Sequence, residues 1–413
     1  MVPNRSKCAL LSAVLGLSVG LILASPASAA TFSPTRFDDP APAKKCKPTD
    51  CSLREAIRAA NNHNGSDKVE LGKGTYELEI PPADGGTNVD GQLFMLGELT
   101  LRGLGPRKTK IDANGIDRVL GVAGTGSIKG VTLKGGDAGA NPFHDSRGGA
   151  ILSIADKLSV KNAILKDNTA QFGGAISASG AELTVKESTI TSNIASEGGG
   201  IHLPSRTGAA PVTYLRYSTV SGNSALKGGG LLADGSAVFG ASTPIVQGFN
   251  STVAGNTANG DGGGVLSDNG ASVIFTNSTI AYNTADFDNT GGGVGGGVRE
   301  NGTAFFNLYD SIVASNEAGA SGTDAGCSGT FAGDGNVAIA AAGCASLGAG
   351  TNQFVGSALI GPLADNGGPT ETIKLLALSP ALGYALVCPD TDQRGEKRPN
   401  NGCDSGAYER KGP

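Results

Sequence analysis

The chain has 413 residues, with 66 glycines, no tryptophan and a formal net charge of −5. Glycine at more than twice its usual share of roughly 7%, without a collagen period, points to a chain built on turns. A mildly acidic balance with no basic runs excludes nucleic acid and anionic lipid as partners. With few aromatics, the core must be filled by Val, Ile, Leu and Ala, which suits narrow stacked coils.

The start reads as an export signal over residues 1–29. Arg5 and Lys7 precede an apolar run from Ala9 to Ala24, and Ala27-Ser28-Ala29 is a small-residue cleavage site. The run is too short and too rich in Ser and Gly for a membrane anchor, and no later stretch is long and apolar enough to span a bilayer. Losing Arg5 and Lys7, with no anion, moves the net charge from −5 to −7 and removes Cys8. The other six cysteines form three close pairs, Cys46 with Cys51, Cys327 with Cys344, and Cys388 with Cys403. In an oxidising compartment these predict local disulfides. Metal ligation is the weaker alternative, because the spacings are irregular and only His63, His144 and His202 are available to complete a site.

Residues 30–45 are rich in Pro, Ala and Asp and lack a period, so they are expected to form a disordered leader. Within 46–67, Leu53, Ile57 and Ala60 fall at helical spacing, and Ser52 with Glu55 makes a capping box. The expectation is a short amphipathic helix covering the open end of whatever follows.

From Lys68 the pattern turns to period two: Val69–Leu71, Thr75–Ile80, Leu99–Leu101, Lys110–Asp112 and Ser127–Leu133. A phrase then recurs: an aliphatic residue, an Asn three residues later, and a glycine run closed by an aliphatic. The Asn slot is filled at Asn168, Asn193, Asn223, Asn256, Asn283 and Asn316, in steps of 25, 30, 33, 27 and 33 residues. The glycine runs end at Ile151, Ile176, Ile201, Leu231, Val265 and Val294. A period of this size marks a solenoid over 68–358, in which each repeat buries its apolar face only by stacking on its neighbours. Side-chain amides repeated at one strand spacing can bond up and down the stack, so the asparagines are expected to form a structural ladder. Residues 359–413 change character and are rich in turn formers, as expected of a loop-rich C-terminal cap held by Cys388 and Cys403, with Asp392, Arg394, Asp404 and Glu409 pairing among themselves.

The segment Cys51-Ser52-Leu53-Arg54-Glu55-Ala56 resembles the CSLREA motif of secreted bacterial parallel β-helix proteins. The repeats resemble those of polymorphic outer-membrane-protein-like β-helices, and the last residues, through Asp392-Gln393-Arg394-Gly395 and Ser405-Gly406-Ala407-Tyr408-Glu409, resemble the choice-of-anchor Q domain. The resemblance implies an all-β, right-handed, pectin-lyase-like parallel β-helix of three strands per coil, exported to the cell surface or beyond, in a family whose members mostly have no assigned reaction. The chain departs from that domain's pattern at Ile373-Lys374, Leu382-Gly383-Tyr384 and Ser405, and it ends at Pro413 where many relatives continue into a sorting signal. No anchor is therefore expected.

Candidate chemistry concentrates in the turn between the Asn slot and the glycine run. It holds His144, Asp145 and Arg147 in one coil, and Glu197 and Lys227 in later ones, whose signs alternate as on a solvated edge. Asp145, Arg147, Glu197 and Lys227 are the candidate binding residues. Asp261, Asp286 and Asp288, taken as the same turn of adjacent coils, are the candidate Ca²⁺ ligands; no cofactor is otherwise required. The short Asp-rich and Gly-His-Gly motifs of glycan-hydrolysing members of this fold are absent, as is Trp for sugar stacking. The favoured expectation is a non-catalytic scaffold presenting a long face to an extracellular polysaccharide or cell-surface component. The alternative is a polysaccharide lyase or glycoside hydrolase, which an acidic pair or a cationic cluster in a groove would favour.

Overall fold

The computed structural model describes residues 28–83, 90–139, 145–235, 240–319, 326–339, 343–347 and 350–411. The export signal up to residue 27, and His144, lie outside them. Three parallel sheets run the length of the solenoid. One coil illustrates the path: Ile176–Ala178 enters sheet 2, Glu182–Lys186 enters sheet 1, and Thr189–Thr191 enters sheet 3. Each strand pairs in register with its counterparts in the coils before and after, as Val160, Val185 and Leu215 do in sheet 1. Inward positions are Val, Ile, Leu and Phe with almost no exposure, and they form one continuous apolar column.

Two polar ladders run inside this column. The Nδ2 of each slot asparagine donates to the Oδ1 of the next, from Asn168 to Asn193 at 2.8 Å through to Asn283 and Asn316 at 3.0 Å. Each Oδ1 also accepts the backbone N–H of the preceding slot asparagine, and Nδ2 reaches a carbonyl of the coil before, as Asn223 does at Ile190. The second ladder was not foreseen. Ser188, Ser218, Ser251, Ser278 and Ser311 each follow a residue with positive φ, from +44° to +51°, at the corner between sheets 1 and 3. The backbone N–H of each of the first four donates to the hydroxyl of the next at 3.1–3.3 Å, and Ser311 N–H donates to Asn336 Oδ1. Corner groups that no strand can pair are satisfied this way.

The glycine run permits backbone contact between coils. A Cβ on Gly230 would sit 2.5 Å from the Gly264 carbonyl and 3.0 Å from Asn256 Nδ2. Register corrects one reading: Val265 pairs with Val298, so the stacked run is Gly295–Gly297, not the one ending at Val294. The sequence repeats the same four-residue phrase twice, and the first copy belongs to an outward excursion of the turn.

Helix α1 spans Leu53–Asn61 with the capping box formed: Ser52 Oγ accepts Glu55 N–H, and Glu55 Oε2 accepts Ser52 N–H at 2.9 Å. It buries Leu53, Ala56, Ile57 and Ala60 in the core. Residues 30–45, expected to be a disordered leader, are folded. Thr31–Phe32 adds a strand to sheet 1 beside Lys68 and Val69, and Asp39 is a buried partner of Arg54. Their turn-rich composition hid the fact that sheet 1 needs an edge strand and Arg54 needs a counter-ion.

The C-terminal segment also departs from a cap. Ile360–Ala364 and Thr372–Leu375 pair antiparallel, and the segment lies back along the outer face of sheet 3 instead of closing its end. Thr219, Thr252 and Thr279, which would otherwise face water, bond to Glu371, Gln393 and Ala407 respectively. Arg398, fully buried, pairs with Glu409 at 2.9 Å, and Arg394 pairs with Asp392 while stacking on Tyr408. Disulfides join Cys46 to Cys51, Cys327 to Cys344 and Cys388 to Cys403. Among the described residues no helix is long and apolar enough to cross a membrane.

Candidate functional site

Where the C-terminal segment runs past the covered coils, it leaves a cleft of about 600 Å³ against the outer face of sheet 3. One wall is the sheet. Thr189 and Thr191 project from one strand, Lys166 and Ile164 from the strand before it, and Asn162, Arg107 and Lys108 from the adjoining turns. The other wall is the turn carrying Asp365, Pro369 and Glu371. Period two sends these Thr and Lys side chains outward, while Leu165 and Ile190 between them enter the core. Three cations face two carboxylates across the cleft, and the nearest opposed pair, Arg107 and Asp365, is a fully solvated contact at 4.0 Å. Hydroxyl, amide and cationic groups on a rigid backbone, beside a Pro and an Ile, can take a polar ligand with apolar patches.

The candidate binding residues lie on a different edge, at the entry to sheet 2. Arg147, Phe172, Glu197 and Lys227 succeed one another as parallel bridges, coil upon coil. Arg147 lies over the Phe172 ring, and Asp145 pairs with the buried Arg118 and, more loosely, with Arg147. Glu197 meets Asp234, which sequence reasoning did not single out, and His202, which it named only as a histidine available to complete a cysteine metal site. His202, in the strand Ile201–Pro204, points outward yet is only 4% exposed, under the Phe172 ring at 5.3 Å. Asp234 ends the strand one coil on, and ligand atoms of Glu197, His202 and Asp234 all lie within 4.8 Å of one another. Asp268 follows in register with Asp234 and accepts from Asn301 Nδ2. Burial pushes the His202 imidazole down to about 4, so it is neutral at pH 7. Burial first, and then Asp234, push the Glu197 and Asp268 carboxyls above the usual range. The Asp at the fourth place after Gly228–Gly230 and Gly262–Gly264 was a readable signal. The burial of His202 was not, since the equivalent slots hold Leu152, Ser177, Leu232, Leu266 and Arg299.

The three candidate Ca²⁺ ligands do not converge. Asp261 accepts from Val294 N–H and faces Arg299; Asp286, fully buried, accepts from Gly291 N–H; Asp288 is exposed and accepts from Thr290. Asp286 N–H bonds to the Gly260 carbonyl, and Asp288 lies in the excursion that shifts the glycine register. They occupy different places in their turns because the repeat was aligned on the wrong run.

No family model and no curated protein sequence matches the chain. Among solved structures, the crystal structure of pectate lyase Pel9A is similar, with a TM-score of 0.56 and 16% identity over 93% of this chain and 97% of that one. The A-module of the mannuronan C-5 epimerase AlgE4 of Azotobacter vinelandii aligns with a TM-score of 0.42 and 16% identity, over 70% of this chain and 84% of that one. The first likeness defines the class of fold: an all-β, right-handed parallel β-helix like that of pectate lyase.

Proposed function

We propose that this protein is an extracellular β-helix scaffold that binds a polysaccharide in the cleft between sheet 3 and the C-terminal segment. The observation that carries the reading is the cleft itself, whose size lies within the usual range for ligand sites and whose lining pairs cations with hydroxyl and amide groups. Three disulfides and the secretion-type N-terminus support an extracellular location. The resemblance to secreted CSLREA proteins supports the same location. Affinity electrophoresis of the mature chain in polygalacturonate, alginate and a neutral glucan tests it. Retardation in at least one polymer is expected, with Arg107→Ala/Lys108→Ala/Lys166→Ala weakening it about tenfold at nearly unchanged melting temperature, since Arg107 and Lys108 are exposed and half-buried Lys166 makes only a surface ion pair with Asp167. No retardation, or an unaffected triple variant, contradicts the reading.

A second reading, cleavage of a polymer lying along the sheet 2 edge instead of in the cleft, is favoured by the juxtaposition of Glu197, His202 and Asp234, which supplies an acidic pair beside a neutral imidazole. It is supported further by the pectate lyase among the similar structures. Release of unsaturated or reducing ends by the wild type, abolished in Glu197→Gln, would establish it; intact polymer after prolonged incubation would reject it.

A further inference from the structure

We propose that Glu197, His202 and Asp234 form a binding site for a divalent transition-metal ion of the zinc class. The inference does not rest on the polysaccharide reading. Three points no more than 4.8 Å apart share a common point within about 2.8 Å of each (4.8 Å divided by √3), so each donor closes by less than about 1 Å to reach zinc bonding distances near 2.0–2.2 Å. Glu197 and Asp234 are partly exposed side chains at turn and strand-end positions. His202 is held on a sheet strand and supplies the fixed ligand.

The independent observation is the imidazole. Both ring nitrogens of His202 are buried and without a hydrogen-bond partner, although two carboxylates stand within reach. Burying two unsatisfied polar atoms is costly, and native interiors seldom retain them. Ligation through one nitrogen removes that cost at the atom that faces the carboxylates. Charge argues the same way. Glu197, Asp234 and Asp268 face the site against Lys227 and Arg147, so three negative groups meet two positive ones, and a dication reverses the imbalance. Asp268, next to Asp234 in register and tied to Asn301, is placed to support the ligand set from outside it.

The donor set selects the metal. Calcium takes six to eight oxygens, whereas one imidazole and two carboxylates suit zinc and its neighbours and leave a fourth position open to water or a ligand. Such an ion would tie the turn carrying Glu197 and the sheet 2 strand carrying His202 to the strand of the next coil that ends at Asp234, strapping adjacent coils across the outer face of sheet 2.

The test is calorimetric titration of the chelator-treated mature protein with ZnCl₂, with elemental analysis and thermal melts, repeated with CaCl₂. One zinc per chain, a raised melting temperature and a weaker calcium response are expected. Glu197→Gln and Asp234→Asn should each weaken zinc binding at least tenfold, and His202→Gln should abolish it. Melts of the variants in chelator check folding; the two carboxylate variants should melt no lower than the wild type there, because they relieve repulsion. No heat and no melting shift in the wild type overturns the proposal. So does zinc binding that survives all three substitutions, or calcium binding as tight as zinc and indifferent to His202→Gln.

Discussion

A guanidinium sealed from water is stable only if its charge and its donors are matched. Arg54 meets that condition with both oxygens of Asp39 and the carbonyls of Gly91 and Gln92. Arg54→Ala leaves Asp39 buried and unpaired, and should destabilise the N-terminal coils by about 3–5 kcal/mol, read as a lowered thermal midpoint. The slot asparagines make a different demand. Asn223→Ala deletes the amide bonds to Asn256 and Ile190 and strands the Asn193 N–H, for a loss of about 1–3 kcal/mol by chemical denaturation with no effect on ligand binding. That residue was legible in the sequence because one residue type recurs in one slot and serves the same bonds each time. His202 was not. Its slot changes chemistry from coil to coil, and period two assigns it to solvent, whereas a ring from the preceding coil covers it.

Within an element, glycine has two separate reasons to be there, and substitution separates them. Gly97 has φ +65°, and a Cβ there would meet nothing within 4 Å, so Gly97→Ala should cost only about 1 kcal/mol of backbone strain. Gly230→Ala drives a methyl into the Gly264 carbonyl and the Asn256 amide, and should cost more, about 1–3 kcal/mol, with loss of order in the coils on both sides. Equal melting shifts for the two variants would contradict close stacking as the reason for the run. The run's position was legible in the sequence up to Val265 and failed at the next coil, because two copies of one phrase stand side by side and only strand pairing tells them apart. Helix α1 was legible at its start through the Ser52–Glu55 box and on its buried face through Leu53, Ile57 and Ala60.

For the molecule as a whole, the repeat dictates a stack but says nothing of what lies on its flank. The C-terminal segment had to be found in space, since its contacts with Thr219, Thr252 and Thr279 join residues more than 120 positions apart. The same holds for the cleft it makes. Removing the Cys388–Cys403 bridge, which closes a 15-residue separation, should cost about 3 kcal/mol and render 359–411 sensitive to protease before the coils unfold. Loss of the segment removes one wall of the cleft, so polysaccharide binding should fall with it. Hydrogen-exchange mass spectrometry of the mature chain with and without a bound oligosaccharide locates the ligand directly. Protection confined to 105–108, 162–166, 189–191 and 365–371 is the predicted result; protection centred on Arg147, Glu197 and Lys227, or none at all, would contradict it.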